Sequence, residues 1–171
     1  MLRSGIDDVS ALNNDPSLVF ELVESQRSAL QKLGFLDRII PDFIFKSPAI
    51  ATRLLSIQHN LSCFKEFPDY QIKHFGNLGF LNNQQYSFRT SISAYSKARN
   101  LIEVHGDISQ QVSINIDIAG PLINLQYFDE AIECLDRAKH LLQNSPSAIL
   151  TARLLCREAY LDLHLKKDTS A

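Results

Sequence analysis

Apolar side chains recur along most of this 171-residue chain at the three- and four-residue spacing that is typical of amphipathic helices. The first such stretch is expected to form a helix that opens at Pro16 and ends at Gly34. Pro41 predicts that the next helix is short or broken, and Ser47-Pro48 predicts the start of another. The spacing therefore predicts an all-α fold.

Small residues recur at a longer interval, since Gly79, Ala119 and Ala159 are 40 residues apart, each in a segment with helical spacing. Around the first two, aligned positions keep their size and polarity. The aligned pairs include Leu78 with Ile118, Phe88 with Phe128, Ser91 with Ala131, Tyr95 with Leu135, and Ala98 with Ala138. Small side chains at helix contacts let two antiparallel helices approach closely. Because no single pair can bury its own apolar face, the segments are expected to stack.

This register resembles the tetratricopeptide (TPR) repeat. In that family a small residue in helix A is followed by an aromatic residue near the turn, then by a small residue, an aromatic residue and an alanine in helix B. The first copy reads Gly79, Phe88, Ser91, Tyr95 and Ala98, and the second reads Ala119, Phe128, Ala131, Leu135 and Ala138. The resemblance covers residues 70–165 and implies a right-handed α-solenoid of antiparallel helix pairs.

The chain departs from the family pattern in three ways. Its period is 40 residues, as in long-repeat TPR proteins, instead of about 34. Asn82 stands where a bulky residue is usual late in the first helix A, and Pro121 is expected to kink or split the second helix A. An ordinary bundle of similar helices remains the alternative.

The register predicts four segments. They are a helical N-terminal subdomain or degenerate repeat over residues 1–69, TPR-like repeats over residues 70–106 and 107–144, and a half repeat or capping helix over residues 145–171. In the first segment Ala51 and Leu55 fall in register, but Ile39 and Gln58 occupy positions of small residues, so both interpretations stay open. The last helix is apolar over a broad part of its circumference, which favours a truncated array.

Local turn chemistry predicts where the helix pairs begin and end. Gly106 is expected to leave one helix in the left-handed conformation, and Asp107 is expected to cap the next with Gln110 as its partner. At the following boundary Ser145 is predicted to cap a helix in which Pro146 takes the first position. Within the pairs, turns are expected at residues 82–85 and near Gln126-Tyr127.

Composition and charge exclude several classes of function. With 17 basic and 19 acidic residues the net charge is about −2, which disfavours nucleic acid as a partner. No apolar run is long enough for a membrane span, and residues 1–8 lack the apolar stretch of a signal peptide, so a cytoplasmic or nuclear location is expected. Cys63, Cys134 and Cys156 lack paired spacing and are interpreted as reduced core residues.

The motifs of common enzymes are missing from the sequence. There is no Gly-rich phosphate loop, no His-Glu-x-x-His, no Gly-x-Ser-x-Gly, and no pair of Cys or His at metal-binding spacing. We therefore predict that the chain is not an enzyme, with no catalytic residue, no metal ligand and no cofactor.

The TPR resemblance implies a concave surface, lined by the A helices, that holds a peptide or helix of another protein. The implied groove residues are Lys73, Phe80 and Asn83 in the first copy, Ile116 and Gly120 in the second, and Arg153, Cys156 and Tyr160 in the third. This set lacks the dense Lys/Asn/Arg clamp of chaperone-binding TPR domains.

The leading functional prediction is a non-catalytic protein-interaction module that acts as a scaffold or regulatory subunit within a larger complex. One alternative is a helical arm that makes permanent contacts in a multi-subunit assembly or a multidomain enzyme. Another is a helical enzyme or small-molecule sensor with a pocket between helix pairs.

Overall fold

A computed structural model describes residues 16–168, and those residues form eight α-helices and one 3-10 helix, without a strand. The helices are α1 (Pro16–Ser25), α2 (Ala29–Lys46), α3 (Pro48–Asn60), the 3-10 helix (Phe64–Glu66), α4 (Pro68–Gln84), α5 (Phe88–His105), α6 (Ile108–Asn124), α7 (Phe128–Asn144) and α8 (Ala148–Asp168). The predicted all-α class is confirmed. Residues 1–8, to which the signal-peptide expectation applies, lie outside the described part.

The chain divides into two compact units, Met1–Tyr70 and Gln71–Ala171. In the first unit α1 and α3 both pack against α2. In the second unit α6 packs against α5, α7 and α8. None of the helices in residues 16–168 combines the length and apolarity needed to cross a bilayer.

The first helix of the chain ends earlier than its sequence predicts. It stops at Ser25, and Ser28 caps α2, where the Ser28 hydroxyl accepts a hydrogen bond from the Gln31 amide at 3.2 Å. The predicted helix end at Gly34 is wrong, because Gly34 lies inside α2. Burial of apolar residues on both sides of Gly34 outweighs a glycine penalty of about 1 kcal/mol.

Helix α2 also continues through Pro41, so the predicted short or broken helix is wrong. Proline removes one backbone hydrogen bond within a helix. The apolar stripe on either side of Pro41 is nevertheless buried: Leu33, Leu36, Ile39, Ile40, Phe43 and Ile44. Tertiary packing therefore keeps α2 helical through Pro41, where one backbone hydrogen bond is missing. The predicted start of α3 at Ser47-Pro48 is confirmed, with Pro48 at its first position.

The turns within the two helix pairs of the second unit have the same backbone conformation. Tyr86, after α4, has φ 59°, and Gln126, after α6, has φ 63°. In the first turn the Ser87 amide donates to the Asn82 carbonyl at 2.9 Å, and in the second the Tyr127 amide donates to the Leu122 carbonyl at 2.9 Å. These are Schellman-type helix ends with a non-glycine residue in the left-handed position.

The predicted location of one turn is confirmed and the other is shifted. The turn near Gln126-Tyr127 lies where it is expected. The turn predicted at residues 82–85 lies at residues 85–87, because α4 runs to Gln84. Asn82 remains helical, and its side-chain amide donates to the Leu78 carbonyl at 2.7 Å.

The boundary before α6 has the predicted cap but not the predicted exit. Asp107 accepts from the Gln110 amide at 2.7 Å, and the Gln110 side chain accepts from the Asp107 amide at 2.9 Å, which completes a capping box. Gly106 has φ −91°, so the expected left-handed exit is wrong. A Cβ on Gly106 would lie only 2.7 Å from the Ile102 side chain. This close approach explains the glycine at position 106 better than a left-handed conformation does.

The cap of α8 lies two residues later than predicted. Ser147, not Ser145, accepts a hydrogen bond from the Leu150 amide, at 3.4 Å, and α8 begins at Ala148. Pro146 therefore precedes the helix and does not occupy its first position. Pro121 lies inside α6 and does not split it, because α6 is one continuous helix over Ile108–Asn124.

Candidate functional site

The small residues of the 40-residue register have different environments along the second unit. Gly79 lies under the ring of Tyr95, where a Cβ would be 2.5 Å from Cδ1, and its carbonyl accepts from the Ser91 hydroxyl at 2.7 Å. Ala119 is fully buried. Ala159 is exposed, so its predicted place at a helix contact is wrong. No described helix follows α8 to cover that face.

Helix α6 is the most buried helix that the structure describes in the second unit. Ten of its residues are buried: Val112, Ile114, Asn115, Ile116, Ile118, Ala119, Gly120, Pro121, Leu122 and Ile123. This burial follows from its packing against α5, α7 and α8. Three of its partly exposed polar residues, Ser113, Asp117 and Asn124, lie at helical spacing along one strip.

Three polar contacts join this strip to α8. The Arg153 guanidinium donates to the Ser113 hydroxyl at 2.7 Å and to the Asp117 carboxylate at 2.6 Å, and the Tyr160 hydroxyl donates to the Asn124 side-chain oxygen at 2.7 Å. The contacts join residues that are 40, 36 and 36 positions apart. Because the sequence offset stays nearly constant, α6 and α8 run in the same direction.

A groove between α6 and α8 forms an open cavity of about 460 Å³. Its lining combines apolar side chains, an aromatic ring, a thiol, two guanidinium groups and one carboxylate: Ile116, Asp117, Ala152, Arg153, Cys156, Arg157 and Tyr160. We call this the α6–α8 groove. An apolar floor with a few convergent polar groups is typical of a binding site.

The second guanidinium of the groove, that of Arg157, lies against the backbone of α6. A Cβ on Gly120 would be 2.8 Å from Arg157 Nη1 and 3.0 Å from Cζ. Arg157 Cζ is also 5.8 Å from the centre of the Tyr160 ring, within cation–π range. The glycine and the ring together fix where the Arg157 guanidinium lies.

Burial changes the proton affinity of two groups near the groove. Burial raises the pKa of the Asp117 carboxyl above its usual value, although the charge and hydrogen bond of Arg153 act in the opposite direction. Burial also raises the pKa of the Tyr95 hydroxyl, and the negative charge of Asp117 raises it further. Tyr95 is therefore a neutral core residue under ordinary conditions.

The structure brings together half of the predicted groove residues. Ile116, Arg153 and Tyr160 line the α6–α8 groove, as does Cys156. Gly120 is buried and forms the surface on which Arg157 rests. These positions are the ones that the TPR resemblance implies, and the hydrogen bond between Arg153 and Ser113 joins two residues that are 40 positions apart.

The three residues predicted on α4 do not line this groove. Lys73 is exposed on α4, and Phe80 is half-buried against the core of the second unit. Asn83 is half-buried, and its Oδ1 atom has no hydrogen-bond partner among the described residues. The α6–α8 groove therefore includes only part of the predicted concave surface.

Three lining residues were missed by sequence reasoning: Asp117, Ala152 and Arg157. Arg157 lies four positions after Arg153, which places both guanidinium groups on one face of α8. That four-residue spacing could have predicted that Arg157 faces the same groove as Arg153. No sequence pattern revealed that Gly120 receives Arg157, because the contact joins two helices.

The cysteines are free but do not share one environment. Cys134 is buried, and burial raises the pKa of its thiol. Cys63 is intermediate and Cys156 is exposed in the groove, so the prediction that all three are core residues is wrong.

No protein-family model, curated protein or solved structure matches this chain. Within residues 16–168 there is no group of three or more His, Cys, Asp or Glu that could hold a metal ion. The geometry of the α6–α8 groove is therefore the basis for functional inference.

Proposed function

We propose that this chain is a non-catalytic protein-interaction module of TPR-like type, with a partner's peptide or helix bound in the α6–α8 groove. In this proposal the helices of the second unit form part of a right-handed solenoid of antiparallel pairs, and the chain acts as a scaffold or regulatory subunit in the cytoplasm or nucleus. No cofactor, nucleic acid or membrane is part of the mechanism.

The groove itself is the observation that carries the proposal. Two helices that run in the same direction hold an open cavity of about 460 Å³ between them. Ile116 and Ala152 offer an apolar surface, and Tyr160 is held by its hydrogen bond to Asn124. Aromatic and arginine side chains dominate the binding energy of protein interfaces. A groove of this composition suits side chains of an extended segment.

A blocking substitution tests the proposal. Peptides would be selected from a displayed random library with the full chain as bait, and their affinities measured by fluorescence polarisation. Ala152→Phe fills the groove from an exposed helical position, so we expect it to weaken binding at least roughly tenfold, equivalent to about 1.4 kcal/mol.

Thr151→Phe is the matched control, because Thr151 is the neighbouring exposed residue of α8 and does not line the groove. It adds the same ring and should leave the affinity within about twofold, as expected for a residue outside the contact. Circular dichroism would establish that both variants fold. Equal affinities of Ala152→Phe and the unmodified chain would rule out the groove as the binding site.

A separate observation favours a second candidate, a helical arm that makes permanent subunit contacts. Several apolar side chains of α8 are exposed: Ile149 at 76%, Leu155 at 59% and Leu163 at 52%. Ala159 is exposed on the same helix. Light scattering of the purified chain distinguishes the candidates, since an arm is expected to self-associate and a peptide receptor to be monomeric.

A further inference from the structure

We propose that the α6–α8 groove selects a partner segment by its acidic side chain, with the carboxylate of an Asp or Glu seated on Arg157. This inference rests on the proposed function, because it assumes that a peptide enters the groove. It adds a chemical class of ligand and assigns the recognition to a residue outside the predicted groove set.

The two arginines of the groove differ in how their charges are compensated. Arg153 is committed within the chain, since it contacts Asp117 at 2.6 Å and Ser113 at 2.7 Å. Arg157 forms no salt bridge with any residue in the described range 16–168, and its guanidinium lies against a glycine backbone and an aromatic ring. Asp117 attracts it electrostatically but is hydrogen-bonded to Arg153 instead. Its donors are therefore available to a ligand at the wall of the groove.

Arg157 is held in position without being neutralised. The absence of a side chain at Gly120 creates the space that its guanidinium occupies, with Nη1 2.8 Å from where a Cβ would be. The ring of Tyr160 lies on another side, and the hydrogen bond from the Tyr160 hydroxyl to Asn124 fixes that ring. A cation that is already ordered loses less entropy when it binds an anion.

The charge around Arg157 favours a singly charged ligand. A guanidinium presents paired donors that match the two oxygens of a carboxylate. The lining also contains the Asp117 carboxylate, so two cations and one anion leave the groove with one net positive charge. A ligand carboxylate and a phosphate dianion are both repelled by Asp117, but the dianion carries about twice the charge and exceeds the single net positive charge of the lining. This difference favours a carboxylate over a phosphoryl group.

The test uses three synthetic peptide mixtures that differ only at one central position, fixed as Glu, Gln or phosphoserine. Each mixture is passed over the immobilised full chain, and the retained fraction is measured. We expect the Glu mixture to be retained roughly tenfold more than the Gln mixture, as a charge-assisted pair would produce. In Arg157→Gln the ratio of Glu to Gln retention should fall to about one.

Gly120→Ala is the more specific variant, because it keeps Arg157 and changes only the surface on which its guanidinium lies. The added methyl group would displace the end of a flexible side chain, so the helix can accommodate it. Gly76→Ala is the matched control, since a Cβ on Gly76 would meet nothing within 4 Å. We expect the ratio of Glu to Gln retention to fall toward one in Gly120→Ala and to be unchanged in Gly76→Ala.

Each other outcome contradicts a defined part of the inference. Equal retention of the Glu and Gln mixtures, or a ratio that survives both Arg157→Gln and Gly120→Ala, would overturn the role of Arg157. The proposed function would then still stand if Ala152→Phe blocks retention. Stronger retention of the phosphoserine mixture would overturn the carboxylate assignment, and failure of the chain to retain any mixture would overturn both proposals.

Discussion

Helix pair α4–α5 places a glycine, Gly79, under an aromatic ring, whereas pair α6–α7 has Ala119 at the equivalent position and the smaller Leu135 at the equivalent of Tyr95. All four residues are buried. Ala119 and Leu135 belong to the same apolar core as Tyr95. We infer from this comparison that the combined volume of the two side chains is similar in the two pairs, so that a larger small residue goes with a smaller partner.

The two pairs also differ at their helix starts and in burial. Helix α6 begins with the capping box of Asp107 and Gln110, whereas Ser87, the residue before α5, makes no side-chain cap. Helix α6 has ten buried residues, and α4 has four among its described positions. Helix α6, which has both the capping box and the larger number of buried residues, also forms a wall of the α6–α8 groove.

The largest expected effect comes from breaking the volume match in the first pair. Gly79→Ala would place a methyl group 2.5 Å from Tyr95 Cδ1, and we expect the free energy of unfolding to fall by about 1–3 kcal/mol. Urea denaturation followed by circular dichroism measures this change. In a Tyr95→Leu background, which copies the second pair, the same substitution should cost much less.

Gly76→Ala serves as the control for helix propensity, because a Cβ there meets no atom within 4 Å. It should be neutral or stabilise the chain by up to about 1 kcal/mol. If Gly79→Ala were as destabilising in the Tyr95→Leu background as in the unmodified chain, the two positions would be uncoupled and the volume argument would fail.

A smaller effect is expected from removing the cap that distinguishes α6. Asp107→Ala removes an acceptor for the Gln110 amide and should destabilise the chain by about 1 kcal/mol. Amide hydrogen exchange in the first turn of α6 should speed up. Ser87→Ala, at a position without a side-chain cap, should change stability by less than about 0.5 kcal/mol, and a loss equal to that of Asp107→Ala would contradict this assignment.

The smallest effect is a change in the pH dependence of stability in the variant Asp117→Asn. Asparagine is the residue at the equivalent position 77 of the first pair. The folded-state pKa of Asp117 is raised, so the folded chain binds this proton more tightly than the unfolded chain. Its contribution to stability is therefore fully present below the unfolded pKa and is lost as pH rises through the folded pKa.

Thermal unfolding at a series of pH values, for the unmodified chain and Asp117→Asn, measures this contribution. The difference in stability should shift in favour of the unmodified chain as the solution becomes more acidic through that window. A shift in the opposite direction would mean that Arg153, rather than burial, determines the pKa of Asp117.

Local chemistry predicted some features well because neighbours in sequence determine them. The Asp107 cap and the turn at Gln126 depend on residues within one helical turn. The predicted helix breaks at Gly34 and Pro41 are wrong, because buried apolar residues on both sides of them outweigh local preference. At α8, two serines could cap the helix, and only the structure shows that Ser147 does so.

The candidate site was predictable only as far as the TPR resemblance implies it. Ile116, Arg153 and Tyr160 were predicted from that resemblance, and they line one groove. Lys73 and Asn83 were predicted in the same way but lie elsewhere on α4, since a family pattern gives a position along a helix and not which neighbouring helix it faces. The Arg157 and Gly120 contact needed coordinates, because it joins two helices.

The bond between Arg153 and Ser113, 40 positions apart, has a consequence for how this chain can change in length. The contact depends on how α7 and its flanking connections orient α8 against α6. A single inserted residue within α7 would rotate the following helical residues by about 100° relative to those before it. Viable insertions should therefore lie in the connections, such as residues 145–147 before α8.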